Sequence, residues 1–513
     1  MLGNVKVETS PPAHALTILL LALPWLNPVT FGPTHPVVQG LTVWAGAAFC
    51  CMVWALDRTG RAAQLQSIAS AWLLAALLSA AMGLLQYLGL AELFSPFINY
   101  VEAGQAYANL RQRNQQATLL AIGLCALLWW QAQGAVRGAA QLPGASPRRR
   151  VVALAGLALA AALLATADAA SGSRTGLLQL LVLLALGLLW RRGRATVLWV
   201  LLAYALAAFV LPRLAGLDPL HSGILGRLGE APSVCASRLT LWSNVLHLIA
   251  QKPWTGWGWG ELGYAHLMTL YPGERFCEIL GNAHNLPLHL AVELGVPVAV
   301  LMCAAVLGLV LRAKPWREPD ATRQMAWSVL AVIAVHSLLE YPLWYGPFQL
   351  AALLALCLLW STRSPQTRVA TGVAPDRPLR AAVAVAAATA VLAACGYAAW
   401  DYWRISQIYL AEAQRAPSYR EATLEKIRAS WLFANQVQFA ELGITPLSAD
   451  NAEHIHALAL RMLHFSPEAS VLIKVMESAK LLGLQTQAYQ TRFEVAYPAD
   501  YAAWRRTASP ATP

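Results

Sequence analysis

The chain has 513 residues and a formal net charge of +11, and 58% of its residues are hydrophobic while only 12% are charged. Soluble domains carry roughly 25% charged residues, so the composition excludes an ordinary soluble or secreted enzyme and a disordered protein. The mean hydropathy of +0.49 and the repeated long apolar stretches instead indicate a polytopic membrane protein.

The apolar stretches predict about eleven transmembrane helices. In chain order they are residues 14–31, 37–56, 64–90, 118–133, 151–167, 176–190, 195–211, 286–311, 324–339, 347–360 and 378–400. They form an N-terminal membrane region over 1–211, with about seven spans, and a C-terminal one over 286–400, with about four. A long loop over 212–285 separates the two regions.

The tail over 401–513 differs in composition from the rest of the chain. It alternates apolar and polar residues at helical spacing over 420–434, 451–464 and 468–482, and prolines fall between these stretches. Proline is tolerated between helices but not inside them. The pattern therefore predicts a small soluble α-helical domain after the last span.

The distribution of basic residues predicts the orientation of the chain. Eighteen lysines and arginines lie at the N-terminus and in the even-numbered loops, and eight lie in the odd-numbered loops. Short basic loops stay in the cytoplasm, so the odd loops and the tail are predicted to lie outside. The tail has 11 basic and 11 acidic residues. The charge of +11 therefore belongs to the membrane region and is an orientation signal rather than a sign of nucleic-acid binding.

Two of the eight cysteines lie outside the predicted spans, and both are in the same outer loop. These are Cys235 and Cys277, for which an oxidising exterior allows a disulfide. In the chain-entropy model, a bridge over such a loop stabilises the fold by roughly 3–4 kcal/mol; the alternative is a pair of small unpaired hydrophobic residues. The chain has no CxxC pair and no HExxH motif, so we expect no metal site and no cofactor.

A histidine on the predicted outer side could serve as a base. His284 lies in the segment Gly281–Leu286, between the long loop and the next span. A neutral imidazole accepts a proton near pH 7. The alternative is an interfacial histidine beside Asn285, which would be a helix N-cap.

Four of the arginines on the predicted outer side could bind phosphate, and their positions run against the orientation bias. Arg111 and Arg113 precede the fourth span, Arg174 precedes the sixth, and Arg238 lies in the long loop. Guanidinium groups bind phosphate oxygens in a bidentate manner and keep their charge at any pH. The alternative is solvated charge or contact with lipid headgroups.

Two further outer segments have both structural and functional interpretations. His336 and Glu340 lie near a span end, just before Tyr341, where polar groups are costly unless they are used or paired. The segment Trp254–Gly260 alternates tryptophan and glycine, and could stack on sugar rings or anchor an interfacial turn.

Together these outer residues suggest transfer of a group from a lipid pyrophosphate. Arginines can neutralise a pyrophosphate leaving group in place of a metal ion, and His284 would take the proton of the acceptor hydroxyl.

Three segments resemble the O-antigen ligase superfamily and, within it, the PglL-type bacterial protein O-oligosaccharyltransferases, or pilin glycosylation ligases. The N-terminal signature is carried by Leu23–Thr30 with Asn109–Ala117. The segments Ser237–Trp242, Trp254–Gly260 and Ala283–Leu286 resemble the ligase core. The helical tail resembles the C-terminal domain of the protein ligases.

The resemblance implies an all-α, GT-C-like enzyme in the bacterial inner membrane, with its active site and tail facing the periplasm. It would transfer a preassembled glycan from undecaprenyl pyrophosphate to a Ser or Thr hydroxyl, with a pilin as the expected acceptor, without a metal. By resemblance, His284 is the essential histidine, and Arg174 and Arg238 bind pyrophosphate. Gln115, with Gln116 as an alternative, and Tyr341 complete the site.

Two other functions remain open from the sequence. One is ligation of the glycan to lipid A–core, or polymerisation of repeat units, because all three reactions share the donor. The other is a non-catalytic transporter of lipid-linked sugars, which would need polar groups within its spans. The spans are nearly free of charge, with Glu293 as an exception.

Overall fold

A computed structural model describes residues 11–57, 60–134, 147–229, 233–362 and 377–508. Some residues counted among the cytoplasmic charges, namely Lys6, Arg58, Arg137, Arg363 and Arg368, lie outside these ranges. Within them the regular elements are helices, and no strand is present. The predicted all-α class is confirmed for this part of the chain.

Every predicted span corresponds to helical structure. The helices of the N-terminal membrane region are α1 (Pro11–Leu26), α2 (His35–Leu56), α3 (Arg61–Tyr87), α4 (Arg113–Ala132), α5 (Pro147–Ser171), α6 (Arg174–Leu189) and α7 (Arg194–Leu214). The long loop contains α8 (Gly223–Gly229), α9 (Arg238–Gln251) and α10 (Leu262–Met268). The C-terminal membrane region has α11 (Leu286–Leu294), α12 (Val296–Ala313), α13 (Ala321–Ser337), α14 (Gly346–Ser361) and α15 (Arg377–Ser406).

Several of these helices are suited to a bilayer. Six helical stretches among the described residues are long and apolar enough to cross one, namely Pro36–Leu56, Ala62–Tyr87, Leu154–Ser171, Arg194–Leu214, Val296–Arg317 and Pro378–Tyr409. Helices α1, α6 and α14 are apolar but shorter. The chain is therefore a multi-pass membrane protein, and the number of eleven spans stays a prediction.

The chain divides into two compact units. The first contains Met1–Thr30, Thr34–Glu230 and Val310–Tyr397, and the second contains Phe31–Pro33, Ala231–Leu309 and Ala398–Pro513.

Helix α4 lies at the centre of the first unit and contacts α3, α5, α6 and α13. Its residues from Gln115 to Leu127 are all buried, as expected for a helix that is apolar on every side. Gly123 allows a close approach to α3, because a Cβ there would lie 2.2 Å from the Cβ of Ala76. Small residues at such contacts drive helix association in membranes.

The second unit has two apolar cores. One joins α9, α10 and α11. The other joins the tail helices to Leu267 of α10, so that one short helix contributes to both cores. The tail helices are α16 (Thr423–Ile427), α17 (Ala434–Ile444), α18 (Ala452–Phe465), α19 (Ala469–Leu481), α20 (Gln487–Ala496) and α21 (Pro498–Ala508).

Two predicted helices differ from the structure. The stretch over 286–311 was predicted as one span, but Gly295 breaks it into α11 and α12 with a φ of 88°. The prediction of a helix over 420–434 is wrong, since only Thr423–Ile427 is helical before α17 begins. Side-chain bonding replaces the helix there, because Ser430 Oγ donates to Asp401 Oδ2 at 2.8 Å and accepts from Phe433 N at 3.3 Å.

Candidate active site

The first turn of α4 brings several predicted site residues into one small cavity of the first unit. Gln112 caps this helix, its side chain accepting a hydrogen bond from Gln115 N at 2.6 Å. The cavity is lined by Gln112, Gln115, His336, Glu340, Tyr341, Pro342 and Tyr345. Residues that are far apart in sequence, on α4 and on the α13–α14 connection, thus share one site.

Gln115 offers a hydrogen-bond acceptor within this cavity. Its side chain is only 3% exposed, and its Oε1 has no hydrogen-bond partner within the described ranges. A buried acceptor without a partner is costly, so a substrate donor would be favoured there. Gln116, by contrast, is satisfied, since it donates to Ser79 O at 2.9 Å and accepts from Ser79 Oγ at 2.7 Å. The structure therefore favours Gln115 over Gln116.

Two tyrosines lie beside Gln115. The rings of Tyr341 and Tyr345 are stacked, with centroids 5.9 Å apart. Burial raises the pKa of the Tyr345 phenol, Tyr341 raises it further, and a hydrogen bond with Gln115 opposes this. The Tyr345 phenol therefore keeps its proton at neutral pH.

His336 lines the cavity and also belongs to a buried network of polar side chains. Its Nδ1 lies 2.8 Å from Thr118 Oγ1, which also accepts from Gln179 Nε2 at 2.8 Å. Gln179 Nε2 donates in addition to Val332 O at 2.9 Å. These bonds join α4, α6 and α13 and indicate a structural role for His336.

Arg174 is the first residue of α6 and is exposed to solvent. Ser173 caps the helix, its hydroxyl accepting from Gly176 N at 3.0 Å. A guanidinium group at a helix N-terminus is favourable for an anionic ligand, because the free N–H groups there add positive potential.

Arg111 and Arg113 make hydrogen bonds within the protein. Arg111 has a φ of 60°, and its Nη2 donates to Pro28 O at 3.3 Å and to Asn99 Oδ1 at 3.2 Å. Arg113 Nη2 donates to Tyr107 OH at 3.0 Å. These bonds indicate a structural role for both residues.

The other predicted residues belong to the second unit, where His284 has an unusual backbone conformation. Its φ is 51°, and its N–H donates to Asn282 Oδ1 at 2.9 Å. Trp242 Nε1 donates to Ala283 O at 3.1 Å. Asn285 follows as the N-cap of α11, accepting from Leu288 N at 3.0 Å. His284 is therefore held at a fixed point just before a helix.

Arg238 begins α9, as Arg174 begins α6. Ser237 caps α9, accepting from Thr240 N at 3.1 Å. A disulfide joins Cys235 to Cys277, with their Cα atoms 5.3 Å apart. The bridge lies next to Arg238 in sequence and ties the start of α9 to the end of the long loop.

The Trp254–Gly260 segment packs its backbone against α11. Trp257 N donates to Val292 O at 2.9 Å, and Gly258 N donates to Glu293 O at 3.0 Å. Glu293 is buried, with its Oε2 at 3.5 Å from His289 Nε2. This His289–Glu293 pair was not predicted, although a lone glutamate in an apolar stretch was a signal for it.

Comparison with known proteins gives three family matches. Residues 106–130 match the family described as "Protein glycosylation ligase", 159–303 match "O-Antigen ligase", and 324–512 match "Virulence factor membrane-bound polymerase, C-terminal". Together the three matches support assignment of the chain to the O-antigen ligase superfamily, and the match over residues 106–130 supports the PglL type.

Two relatives from Acinetobacter baylyi (strain ATCC 33305 / BD413 / ADP1) are similar to parts of the chain. A general O-oligosaccharyltransferase is 26% identical over 306 residues, which are 57% of this chain and 50% of the relative. A ComP-specific O-oligosaccharyltransferase is 29% identical over 113 residues, 22% of this chain and 20% of the relative. The chain thus matches half of one curated relative and a fifth of the other. No solved structure matches significantly.

Proposed function

We propose that the protein is an O-oligosaccharyltransferase of the bacterial inner membrane. It transfers a preassembled glycan from undecaprenyl pyrophosphate to a Ser or Thr hydroxyl of a protein, a pilin being the expected acceptor, on the periplasmic side. The observation that carries the proposal is that the "Protein glycosylation ligase" match, residues 106–130, includes Gln115, which lines the cavity with Tyr341. The names of both curated relatives support the same reaction.

In the proposed reaction the acceptor hydroxyl oxygen attacks the reducing carbon of the glycan, and the bond between that carbon and the pyrophosphate oxygen breaks. His284 takes the hydroxyl proton as a general base. Arg174 and Arg238 stabilise the charge that develops on the pyrophosphate leaving group. Each is the first residue of a helix with a serine N-cap, a setting that suits an anion. Gln115 Oε1 and the Tyr341 phenol would orient the sugar or the acceptor.

The experiment is glycan transfer in vitro, from a defined lipid-linked oligosaccharide to purified pilin, followed by intact mass spectrometry. The wild-type protein is expected to add one glycan mass to the pilin. His284→Asn should slow transfer about 100-fold or more, the range typical of a lost general base. Asparagine tolerates a positive φ, so this variant keeps the local backbone. Donor binding should remain measurable, since the arginines are unchanged.

The matched control is His221→Asn. His221 is also a histidine of the long outer loop, but it is exposed and paired with Asp218 at 2.6 Å. Its replacement should leave the transfer rate unchanged. Transfer by His284→Asn at the wild-type rate would refute the assignment of the base, and an unmodified pilin with the wild-type protein would refute the proposed function.

A second candidate reaction is ligation of the glycan to lipid A–core, or polymerisation of repeat units. The matches to "O-Antigen ligase" and to the polymerase family support it. The same assay discriminates the candidates when lipid A–core or a second lipid-linked oligosaccharide replaces pilin. Product from these acceptors, with none from pilin, would favour the second candidate.

A further inference from the structure

Asn114 connects two outer segments that are distant in sequence and carry proposed site residues. Its Oδ1 accepts a hydrogen bond from Ser173 Oγ at 2.6 Å. Its Nδ2 donates to Glu340 Oε1 at 3.3 Å. One side-chain amide therefore joins the start of α4 to the start of α6 and to the connection between α13 and α14, all within the first unit.

The bond to Ser173 orients the cap of α6. The Ser173 hydroxyl donates a hydrogen bond to Asn114. Its oxygen lone pair therefore points away from Asn114 and accepts a hydrogen bond from Gly176 N at 3.0 Å. Ser173 is completely buried, and its N–H donates to Ser171 Oγ at 3.2 Å. Arg174 follows directly, so the direction in which its side chain leaves the helix depends on this cap.

The bond to Glu340 fixes the opposite segment. Glu340 is 8% exposed, and its N–H donates to His336 O at 2.8 Å. A buried carboxylate needs hydrogen-bond donors, and Asn114 provides one. Tyr341 follows Glu340 and lines the cavity with Gln115, the neighbour of Asn114 in the first turn of α4.

We propose that Asn114 is a positioning residue that sets the place of Arg174 relative to Tyr341 and Gln115; this inference rests on the proposed function. Only a side chain that accepts on one atom and donates on another satisfies both partners. Asparagine does so, whereas aspartate only accepts when ionised and would face the Glu340 carboxylate. In the proposed reaction Arg174 and Tyr341 contact the substrate, and Asn114 acts through them.

The test uses Asn114→Asp, Glu340→Gln and the double variant in the full-length protein. Asn114→Asp should lower kcat/KM for the lipid-linked oligosaccharide about 10- to 100-fold, the loss expected for a displacement of about 1 Å in a positioned group. The double variant restores both bonds with one polarity reversed, because the carboxylate introduced at position 114 accepts from Ser173 and from the amide introduced at position 340. Its kcat/KM should return to within about threefold of the Glu340→Gln variant.

Asn451→Asp is the matched control. Asn451 also accepts on one atom, from Ser448 N at 2.8 Å, and donates on the other, to Pro446 O at 2.9 Å. It lies in the tail, so its replacement should affect local stability and leave kcat/KM unchanged. A double variant no more active than Asn114→Asp, or Asn114→Asp at the wild-type rate, would overturn the proposal.

Hydrogen–deuterium exchange separates this inference from the proposed function. The amides of residues 174–177 should exchange faster in Asn114→Asp and recover in the double variant, whether or not the protein transfers glycan. Unchanged exchange in Asn114→Asp would overturn the positioning role, and absence of transfer by the wild-type protein would instead overturn the function.

Discussion

His284, the proposed base, has a left-handed backbone conformation. A φ of 51° disfavours most side chains and costs of order 1–3 kcal/mol. The Asn282 side chain offsets this cost by accepting from His284 N. The sequence predicted His284 as the base, but its conformation depends on Asn282, whose role in a tight turn is not distinctive in sequence.

The contacts of Asn114 and Gln115 could not be predicted from the sequence either. A row of polar residues before a span is ordinary in sequence, and only the fold separates the satisfied Gln116 from the cavity-lining Gln115. Arg174 and Arg238 could be selected from the sequence because they contradict the charge bias of the loops, and their binding of pyrophosphate stays a prediction. The caps that support them, Ser173 and Ser237, follow from common helix-start chemistry.

At the residue scale, His266 should make stability depend on pH. It is 2% exposed, its Nε2 donates to Phe276 O at 3.0 Å, and its Nδ1 lies 2.8 Å from the Tyr271 hydroxyl. Because a carbonyl only accepts, Nε2 carries a proton, and in the neutral ring Nδ1 accepts from Tyr271. Burial and then the neighbouring Arg275 lower the pKa of His266 to about 3.

The pKa of His266 is lower in the folded protein than in the unfolded chain, where it is about 6.5. The neutral ring therefore contributes its full stability above pH 6.5, and this contribution is lost as the pH falls towards 3. At pH 5 the loss should be about 2 kcal/mol. His266→Gln can keep both hydrogen bonds without titrating. Thermal unfolding in detergent at pH 7.5 and pH 5 should show a larger decrease for the wild-type protein than for this variant. Equal decreases would contradict the assignment.

At the element scale, glycines allow the Trp254–Gly260 segment to lie against α11. Gly256 and Gly295 both have a positive φ, and a Cβ on Gly256 would lie 2.3 Å from Glu293 O. The sequence suggested sugar stacking or an interfacial turn for this segment. Its backbone contacts with α11 could not be predicted, because pairing between a loop and a helix end has no periodic pattern.

Gly295→Ala should therefore be strongly destabilising. The new Cβ would lie 2.3 Å from Trp254 O, at a φ of 88°. We expect a loss of more than about 2 kcal/mol, measured as a lower unfolding temperature in detergent. Gly308→Ala is the control, because it lies in the same membrane segment, in α12, and its Cβ would meet nothing within 4 Å. An equal effect of the two changes would refute the role of Gly295.

At the scale of the whole molecule, the sequence predicts the fold more completely than it predicts the candidate site. Every predicted span overlaps one or two helices of the structure, because long apolar stretches have few alternatives in a bilayer. In the tail, the predicted helices 451–464 and 468–482 correspond to α18 and α19. The single helix predicted over 420–434 does not form, because Asp401 and Ser430, far apart in sequence, make a hydrogen bond to each other.

The charge distribution makes a prediction about the orientation of the whole chain. Because the N-terminus is predicted inside and the tail outside, the number of crossings must be odd, and α15 must cross between residue 362 and the tail. Alkaline phosphatase fused after residue 508 should be active, since it matures only in an oxidising compartment. The same reporter fused after residue 362 should be inactive.

Green fluorescent protein at the same two positions is the reciprocal control, with fluorescence expected only after residue 362. The net charge of +11 supports this arrangement, because the tail is neutral and the excess lies in loops on the predicted cytoplasmic side. An active phosphatase after residue 362, with an inactive one after residue 508, would show that the chain has the opposite orientation to the predicted one. His284, Arg174 and Arg238 would then face the cytoplasm, and periplasmic glycan transfer would be excluded.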